Sequence, residues 1–176
     1  MIEKAKEYRH LLHPNPPVWN TDSRFLILGT FPSVKSRETG FYYGHPQNRF
    51  WKLLSAVLGE PLPHTVEEKK ALLFSHHIAL WDVVAECDIA GSADSAIRNV
   101  RPNDIEELLQ NAPIEKIFVT GKTAETLYNR YLLPKTNRPV LLLPSPSPAN
   151  AAWSFERLLY AWKELLSDLC ALPAVD

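Results

Sequence analysis

The sequence has few cysteines and no long apolar run, and each shortage excludes a class of protein. Only Cys87 and Cys170 occur, far apart in the chain, which argues against a small disulfide-built fold and is typical of a reducing compartment. No apolar stretch approaches the about 20 residues that a membrane-spanning helix needs. The opening stretch, MIEKAKEYRHLLHPNPP, is charged and lacks the apolar centre of a signal peptide. We therefore expect a cytoplasmic protein with no membrane partner.

An excess of one charge is also missing. The 176 residues carry 19 basic and 20 acidic side chains, for a formal net charge of −1. The chain therefore lacks the overall positive charge that would predict nucleic-acid binding. Charge alone favours a small-molecule enzyme or an interaction domain. A local patch that meets a few phosphates is still compatible with this balance. With 45% hydrophobic residues, residues 1–176 are expected to form one domain with a substantial core.

Strand-like and helix-like segments alternate along most of the chain. Buried strands are predicted at residues 24–30, 78–84, 116–120 and 140–143. Helices are predicted at residues 3–12, 47–58, 66–76, 122–131 and 151–170, and from Asn103, where Glu106 completes an approximate capping box. The polar stretch 87–101 is predicted to be a loop. Continuous apolar strands between helices indicate an α/β fold with a parallel sheet covered on both faces.

Three segments follow predicted strands and should meet at one site. They read 29-GTFPS-33, 120-TGKTA-124 and 144-PSPSPANA-151. In parallel sheets of this kind, ligands bind in the crevice outside the carboxyl ends of the strands. The third segment has proline at alternating positions, so it is stiff. It suits either a plain connection to the last helix or a wedge that enters a DNA groove.

Several familiar catalytic patterns are incomplete. The string 120-TGKT-123 ends like a phosphate-binding loop, but Lys116 stands where the first glycine of that motif belongs. His10 and His13 lack the neighbouring cysteine or carboxylate spacing of a zinc site, so no metal is expected. No GxSxG motif surrounds Ser145, which favours a hydrogen-bonding role over a nucleophilic one.

Aromatic and amide side chains are concentrated after the first predicted strand. Phe41, Tyr42 and Tyr43 are followed within a few residues by Gln47 and Asn48. The aromatic rings could pack as a loop core or stack on a planar base, which contributes about 1–3 kcal/mol per base. The amides could read a carbonyl edge or position a water molecule, and Asn48 could equally cap the next helix.

The ordered blocks GTFPS, GFYYGHPQNRFW, TGKTA and LPSPSPANA resemble those of the uracil-DNA glycosylase superfamily, over roughly residues 24–165. The first two are similar to the water-activating motif of the mismatch-specific uracil glycosylases and the run after it. The last is similar to the superfamily's His-Pro-Ser-Pro-Leu-Ser leucine-loop motif. Phe31 stands where the mismatch-specific enzymes have Asn or Asp, and Leu143 where several branches have His. This combination most resembles the hypoxanthine-DNA glycosylase branch.

The resemblance implies a three-layer α/β/α domain with a central, mainly parallel sheet, which agrees with the periodicity. It implies hydrolysis of the N-glycosidic bond of deoxyinosine after the base is flipped out of DNA. It also implies no metal, no cofactor and no lyase step, and we expect a monomer. The branch takes its catalytic amide from an unusual position, for which Asn48, with Gln47, is the candidate. Base-binding residues are predicted at Gly29, Thr30, Phe31 and Tyr43, and DNA-binding residues at Ser33, Lys122, Thr123, Ser145, Ser147, Pro148, Ala149 and Asn150.

Three alternatives stay open from the sequence. The same fold could act on uracil or xanthine, because Phe31 bears on water activation and not directly on the choice of base. It could bind damaged DNA without catalysis, since two usual polar groups are missing. A small-molecule hydrolase built around Ser145 would instead react with phosphonates and ignore DNA.

Overall fold

A computed structural model describes residues 7–90 and 96–174. Its strands are β1 (Arg9–Leu12), β2 (Phe25–Gly29), β3 (Ile78–Asp82), β4 (Val84–Ile89), β5 (Arg98–Pro102), β6 (Lys116–Thr120) and β7 (Val140–Leu143). Its helices are α1 (Val34–Thr39), α2 (Phe50–Leu58), α3 (Val66–Ser75), α4 (Glu106–Asn111), α5 (Lys122–Tyr131), α6 (Leu133–Thr136), α7 (Phe155–Leu165) and α8 (Ser167–Cys170). Within these described ranges, no helix combines the length and the apolar character needed to cross a membrane.

A four-stranded parallel sheet, in the order β3-β2-β6-β7, forms the centre of the fold. Strand β2, with the sequence FLILG, is buried along its whole length, as expected for a strand with elements on both faces. Ile27 lies opposite Leu80 of β3 and Phe118 of β6. The predicted α/β class and the strands expected at 24–30, 116–120 and 140–143 are confirmed, as is the helix at 122–131.

Alternate residues of β2 pack into two separate cores, because successive side chains of a strand point to opposite faces. Phe25 and Ile27 belong to a core with residues of α2, α3 and α7. Leu26 and Leu28 belong to a second core with residues of α4, α5 and β4. Trp162 of α7 is fully buried and donates from its indole nitrogen to Pro144 O at 2.9 Å. The two cores produce the expected three-layer α/β/α arrangement.

A second, antiparallel sheet in the order β1-β4-β5 was not anticipated by the sequence. The helix expected at 3–12 is wrong, because Arg9–Leu12 pairs with β4 instead; residues 3–6 lie outside the described residues. The loop expected at 87–101 is also wrong, since it holds the end of β4 and most of β5, although residues 91–95 lie outside the described residues. The strand expected at 78–84 is two strands, which belong to different sheets.

Three expected helix starts are displaced, since α2, α4 and α7 begin at Phe50, Glu106 and Phe155, and the last helix is divided. The helix predicted from residue 47 begins at Phe50, and the one predicted at 151–170 is split into α7 and α8. Asn103 does not cap α4, which begins at Glu106. Its buried amide donates to Asp82 O at 2.9 Å and to Val84 O at 3.2 Å. Asn103 therefore secures the connection between the two sheets.

Candidate functional site

A cleft of about 630 Å³ opens at the carboxyl edge of the parallel sheet, within the range of about 300–1,000 Å³ that is typical of ligand sites. All three segments that follow predicted strands contribute to its walls. Of the predicted site residues, the cleft is lined by Gly29, Thr30, Phe31, Ser33, Tyr43, Asn48, Lys122, Thr123, Ser145, Ser147, Ala149 and Asn150. Gln47 and Pro148 are exposed and do not line the cleft.

Polar groups line the floor of the cleft where β3, β2 and β6 end side by side. Asp82 pairs in register with Gly29. A Cβ atom added to Gly29 would lie 2.4 Å from Asp82 Oδ1 and 3.0 Å from Tyr43 Oη. The Tyr43 hydroxyl lies 3.1 Å from Thr120 Oγ1. The missing side chain at Gly29 therefore lets a carboxylate and a phenol approach the same point.

Asp82 is a cleft residue that the sequence analysis missed, together with the histidine behind it. His13 Nε2 lies 2.7 Å from Asp82 Oδ2, and the two side chains are only 3% and 6% exposed. The backbone N–H of Asn15 donates to His13 Nδ1 at 3.1 Å. Because Nδ1 is an acceptor there, the proton of the neutral imidazole is on Nε2, which donates to Asp82. The only sequence signal for this pair was the carboxylate at the end of a predicted strand. The pairing itself could not be read from the sequence, because 69 residues separate His13 and Asp82.

Tyr42 lies beside this pair and is held in its protonated form. Burial raises the pKa of Tyr42, and the negative charge of Asp82 raises it further. Its hydroxyl donates to Pro16 O at 2.8 Å. Tyr42 therefore serves as a wall of the cleft and a neutral hydrogen-bond donor, with no role as a base.

Tyr43 lines the cleft and has an unusual backbone conformation. Its φ is 53°, a left-handed conformation that is uncommon for an aromatic residue. One face of its ring is stacked on Phe50, with 3.9 Å between centroids and 4° between planes. The base-stacking role predicted for Tyr43 must therefore use the ring's other face or its edge.

Phe31 and Thr30 extend the wall beyond the end of β2. Phe31 is 9% exposed and makes an edge contact with the His13 ring at 5.8 Å. The guanidinium of Arg37 lies 5.8 Å from the centre of the Phe31 ring. Thr30 Oγ1 is buried and has no hydrogen-bond partner within the described parts of the chain. A buried hydroxyl of this kind is available to a ligand that enters the cleft.

Asn48 fills one of the two roles that the sequence left open, the capping role, and keeps a donor for the other. Its Oδ1 accepts the backbone N–H of Phe50 at 2.9 Å, so it caps the start of α2. Because the oxygen must face that N–H, the assignment of the amide is determined and Nδ2 is the remaining donor. Among the described residues, none accepts a hydrogen bond from this Nδ2. Leu143, the other position that departs from the usual pattern, is fully buried in the core.

Arg49 makes several hydrogen bonds to the proline-rich loop at residues 144–153. The guanidinium donates to four carbonyl oxygens: Pro146 at 3.3 Å, Ser147 at 2.9 Å, Asn150 at 3.2 Å and Trp153. The backbone N–H of Arg49 donates to Pro146 O as well, at 3.1 Å. The planar fork of an arginine suits several acceptors at once. The loop is thereby fastened to the start of α2.

The remaining predicted residues lie at the rim. Ser33 caps the short helix α1 by accepting the N–H of Ser36. Lys122 is 79% exposed and forms an ion pair with Glu125 at 2.7 Å. Ser145 Oγ accepts the N–H of Ser147. Because no histidine among the described residues hydrogen-bonds to Ser145, a hydrolase built around it lacks its base.

Comparisons with known proteins agree on one family. A sequence model of the uracil DNA glycosylase superfamily matches residues 16–166. A "Hypoxanthine DNA glycosylase" of Methanosarcina acetivorans is 35% identical over 144 residues, which cover 81% of this chain and 90% of that protein. A protein of the same name from Methanosarcina barkeri is 34% identical over 109 residues, covering 61% and 69%. A solution NMR structure of a provisionally assigned uracil DNA glycosylase from M. acetivorans has a TM-score of 0.76 and 33% identity, covering 88% and 96%.

Proposed function

Because the chain belongs to the uracil DNA glycosylase superfamily, we propose that it removes hypoxanthine from deoxyinosine in DNA. Membership makes it a DNA-binding repair glycosylase, a hydrolase that acts on N-glycosyl bonds. The choice of hypoxanthine is supported by the names of the two archaeal relatives, at 35% and 34% identity. It is also supported by Phe31 and Leu143, apolar residues where other branches carry polar ones.

The observation that carries this proposal is the unpaired amide donor of Asn48 in a cleft with aromatic walls. Hypoxanthine differs from adenine by a carbonyl oxygen in place of an amino group, so it accepts a hydrogen bond where adenine donates one. Asn48 Nδ2 is a donor without a partner among the described residues, and Tyr43 and Phe31 line the same cleft. This combination suits a planar base with an exocyclic oxygen.

In the proposed reaction, the deoxyinosine nucleotide rotates out of the duplex into the cleft while the loop at 145–150 fills the stack. Water oxygen bonds to C1′, the C1′–N9 electron pair passes to the base, and a proton from water ends on the departing hypoxanthine. The transition state has oxocarbenium character. Asn48 donates to the base and stabilises the charge that develops on it, since a neutral amide is no strong base.

The decisive experiment uses labelled duplexes that carry one hypoxanthine, uracil or xanthine, followed by alkaline cleavage. We expect cleavage at hypoxanthine, and a loss of about 100-fold in Asn48→Ser. This variant keeps an oxygen that can cap Phe50, so the start of α2 is preserved while the amide donor is removed. Gln110→Ser, at an exposed position of α4, is the matched control and should retain full activity.

Three other results would change the assignment. Cleavage at uracil or xanthine alone would show that the substrate differs. Retained binding of damaged DNA with no cleavage at any base would support a non-catalytic protein. Full activity in Asn48→Ser would show that Asn48 has no catalytic role, while the assignment of hypoxanthine as the substrate would stand. Gln47 is tested in the same series, and its exposed position favours a secondary role.

Three finer features belong to the same proposal. Lys122 is the one lysine among the residues that line the cleft, and it is exposed and paired with Glu125. We therefore propose a monofunctional glycosylase without a Schiff-base step, so borohydride should trap no covalent complex. We also propose that the chain acts as a monomer without a metal or cofactor, in the cytoplasm. Sedimentation and cell fractionation test the first and last of these.

A further inference from the structure

An exposed ridge beside the cleft has no role in the mechanism above. It consists of Trp153, Arg157 and Tyr160, whose spacing of four and three residues places them on one side of the start of α7. Trp153 is part of the wall of the cleft. Tyr160 is 69% exposed, the highest value for a large apolar side chain among the described residues. The ridge therefore extends the wall of the cleft outward as a surface with aromatic and cationic side chains.

The guanidinium of Arg157 is held in place by a ring and not by a carboxylate. Its Cζ atom lies 3.8 Å from the centre of the Trp153 ring, so the indole covers one face of it. Among the described residues, no acidic side chain forms an ion pair with Arg157 and no acceptor binds its side-chain N–H groups. Stacking on an aromatic ring leaves the N–H groups at the edge of a guanidinium available as donors. Arg157 is therefore a positioned cation with unused donors.

The indole that supports this cation is itself fixed. Trp153 O accepts a hydrogen bond from Arg49, and its ring packs against the core that contains residues of α2 and α7. Ser154 Oγ accepts the backbone N–H of Arg157 at 3.2 Å and so caps α7. These contacts determine where α7 begins relative to the cleft. Arg157 is therefore in place at the rim before a ligand arrives.

The side chains of the ridge point toward the cleft. Along an α-helix the Cα–Cβ bonds tilt toward the amino terminus, and α7 begins directly after the loop that lines the cleft. Trp162 shows this direction, because its indole nitrogen donates to Pro144 O, just after the end of β7. Seven residues of helix, the separation of Trp153 and Tyr160, rise about 10 Å, which is the length of about three base pairs of duplex.

The charge of this side of α7 changes sign one turn beyond the ridge. Glu164 lies four residues after Tyr160 and is exposed, and its carboxylate repels phosphate groups. Glu156 and Lys163 are exposed on a neighbouring side of the helix, where their opposite charges offset each other. The part of α7 that suits a polyanion therefore ends at Tyr160.

We propose that the ridge binds the DNA backbone on one side of the flipped nucleotide, with Arg157 donating to one phosphate and the Tyr160 hydroxyl to a neighbouring one. DNA fits these features because the ridge is continuous with the cleft and a planar cation matches phosphate oxygens. The inference rests on the proposed function, since the nucleotide in the cleft is its reference point. It adds that the duplex is bound asymmetrically, over about three base pairs of one flank.

Equilibrium binding to three duplexes tests the ridge. Each duplex contains one 2′-fluoro-deoxyinosine, which resists excision because the fluorine destabilises the sugar cation. One duplex has two flanks longer than the ridge, and in the other two the 5′ or the 3′ flank ends beside the lesion. We expect Arg157→Gln to raise Kd on the long duplex about 10-fold and to lower the slope of log K against log salt by about 0.9. The variant should match the parent once the flank that the ridge binds is removed.

Three further variants make the result specific. Arg130→Gln is the matched control, because Arg130 is also exposed and lies 5.3 Å from the centre of an aromatic ring, that of Tyr131, but does not line the cleft. It should keep the affinity and the salt slope of the parent. Arg157→Lys should keep the slope, since the charge is retained, and recover part of the affinity. Tyr160→Phe should cause a smaller loss that depends on the same flank.

The outcomes separate this inference from the proposed function. An unchanged salt slope in Arg157→Gln, or an equal reduction in Arg130→Gln, overturns the inference. An equal loss of affinity on all three duplexes also overturns it, because a change in the shape of the cleft would not depend on a flank. Full DNA binding by Arg157→Gln overturns it as well and would leave the ridge as a surface for a protein partner.

A parent chain that excises no hypoxanthine contradicts the proposed function and not the ridge. Salt slopes on an undamaged duplex then decide on the ridge, since a phosphate contact does not depend on the base. A slope lowered by about 0.9 in Arg157→Gln alone supports the inference. Equal slopes in Arg157→Gln and the parent overturn it.

Discussion

Replacing Arg49 should weaken DNA binding without removing a phosphate contact. The side chain donates to four carbonyl oxygens of the loop at 144–153. Hydrogen bonds to a charged group contribute about 1.5–3 kcal/mol each, and neighbouring bonds are not additive. Because the released carbonyls regain water, we estimate that Arg49→Ala costs the ordered loop about 2–4 kcal/mol. Where DNA binding requires the ordered loop, the apparent affinity falls in proportion to the fraction of molecules in which the loop stays ordered.

Titration of fluorescent inosine-containing duplex measures this effect. We expect the dissociation constant to rise about 10- to 100-fold in Arg49→Ala, with the excision rate at saturating DNA much less affected. Arg49→Lys should recover little, because an ammonium is a point donor without the planar fork of a guanidinium. Lys52→Ala, at an exposed position on the same helix, is the control for the loss of one positive charge.

Salt dependence separates this explanation from a direct contact with DNA. A side chain that neutralises one phosphate contributes about 0.9 to the slope of log K against log salt. Because the guanidinium of Arg49 is bound to carbonyl oxygens, we expect Arg49→Ala to keep the slope of the parent. A slope reduced by that amount would mean that Arg49 binds phosphate. Full binding by Arg49→Ala would mean that the loop orders itself without it.

Three further predictions concern the cleft, metals and pH. Gly29→Ala should lower the excision rate at least about 10-fold, because its Cβ would lie 2.4 Å from Asp82 Oδ1 and overpacking costs about 1–3 kcal/mol. Gly59→Ala is the control, since a Cβ at that position would meet no atom within 4 Å. It should reduce stability and leave the excision rate unchanged. Chelation with EDTA should leave excision unchanged, and a loss restored by one added metal would contradict the proposal. The hydrogen bond with Asp88 raises the pKa of His10 above its ordinary value of 6.5. That stabilisation is present below pH 6.5 and is lost as pH rises through the higher pKa of the folded state. The urea midpoint of His10→Gln should therefore lie below that of the parent at acidic pH. At alkaline pH the two midpoints should approach each other.

The parallel sheet could be predicted from sequence because its strands are locally distinct. Strand β2 is a run of buried apolar residues, and such a run between turn residues has few other interpretations. The small antiparallel sheet lacked that signal. Polar residues of β4 and β5 face solvent and pair with each other, as Arg101 does with Glu86 at 2.8 Å. Their pattern therefore resembles a loop, and only pairing between distant segments makes them strands.

The candidate site was predictable where it depends on the ends of strands, and not where it depends on distant partners. The segments after β2, β6 and β7 meet in one cleft, as the geometry of parallel strands requires. Asp82 was missed because its partner His13 is 69 residues away. The function of Arg49 was missed for the same reason, since its acceptors lie about a hundred residues further along the chain.

The attachment of the loop through carbonyl oxygens has a consequence for how this protein can change over generations. Arg49 binds only main-chain atoms of the loop, and every residue type supplies a carbonyl. Side chains at positions such as Pro148 and Ala149 can therefore be exchanged without breaking the hydrogen bonds of Arg49. Selection, in nature or in a library, could vary the probing surface while hydrogen bonds to main-chain atoms, including those of Arg49, help to preserve its shape. We therefore expect different loop sequences to share the same backbone conformation.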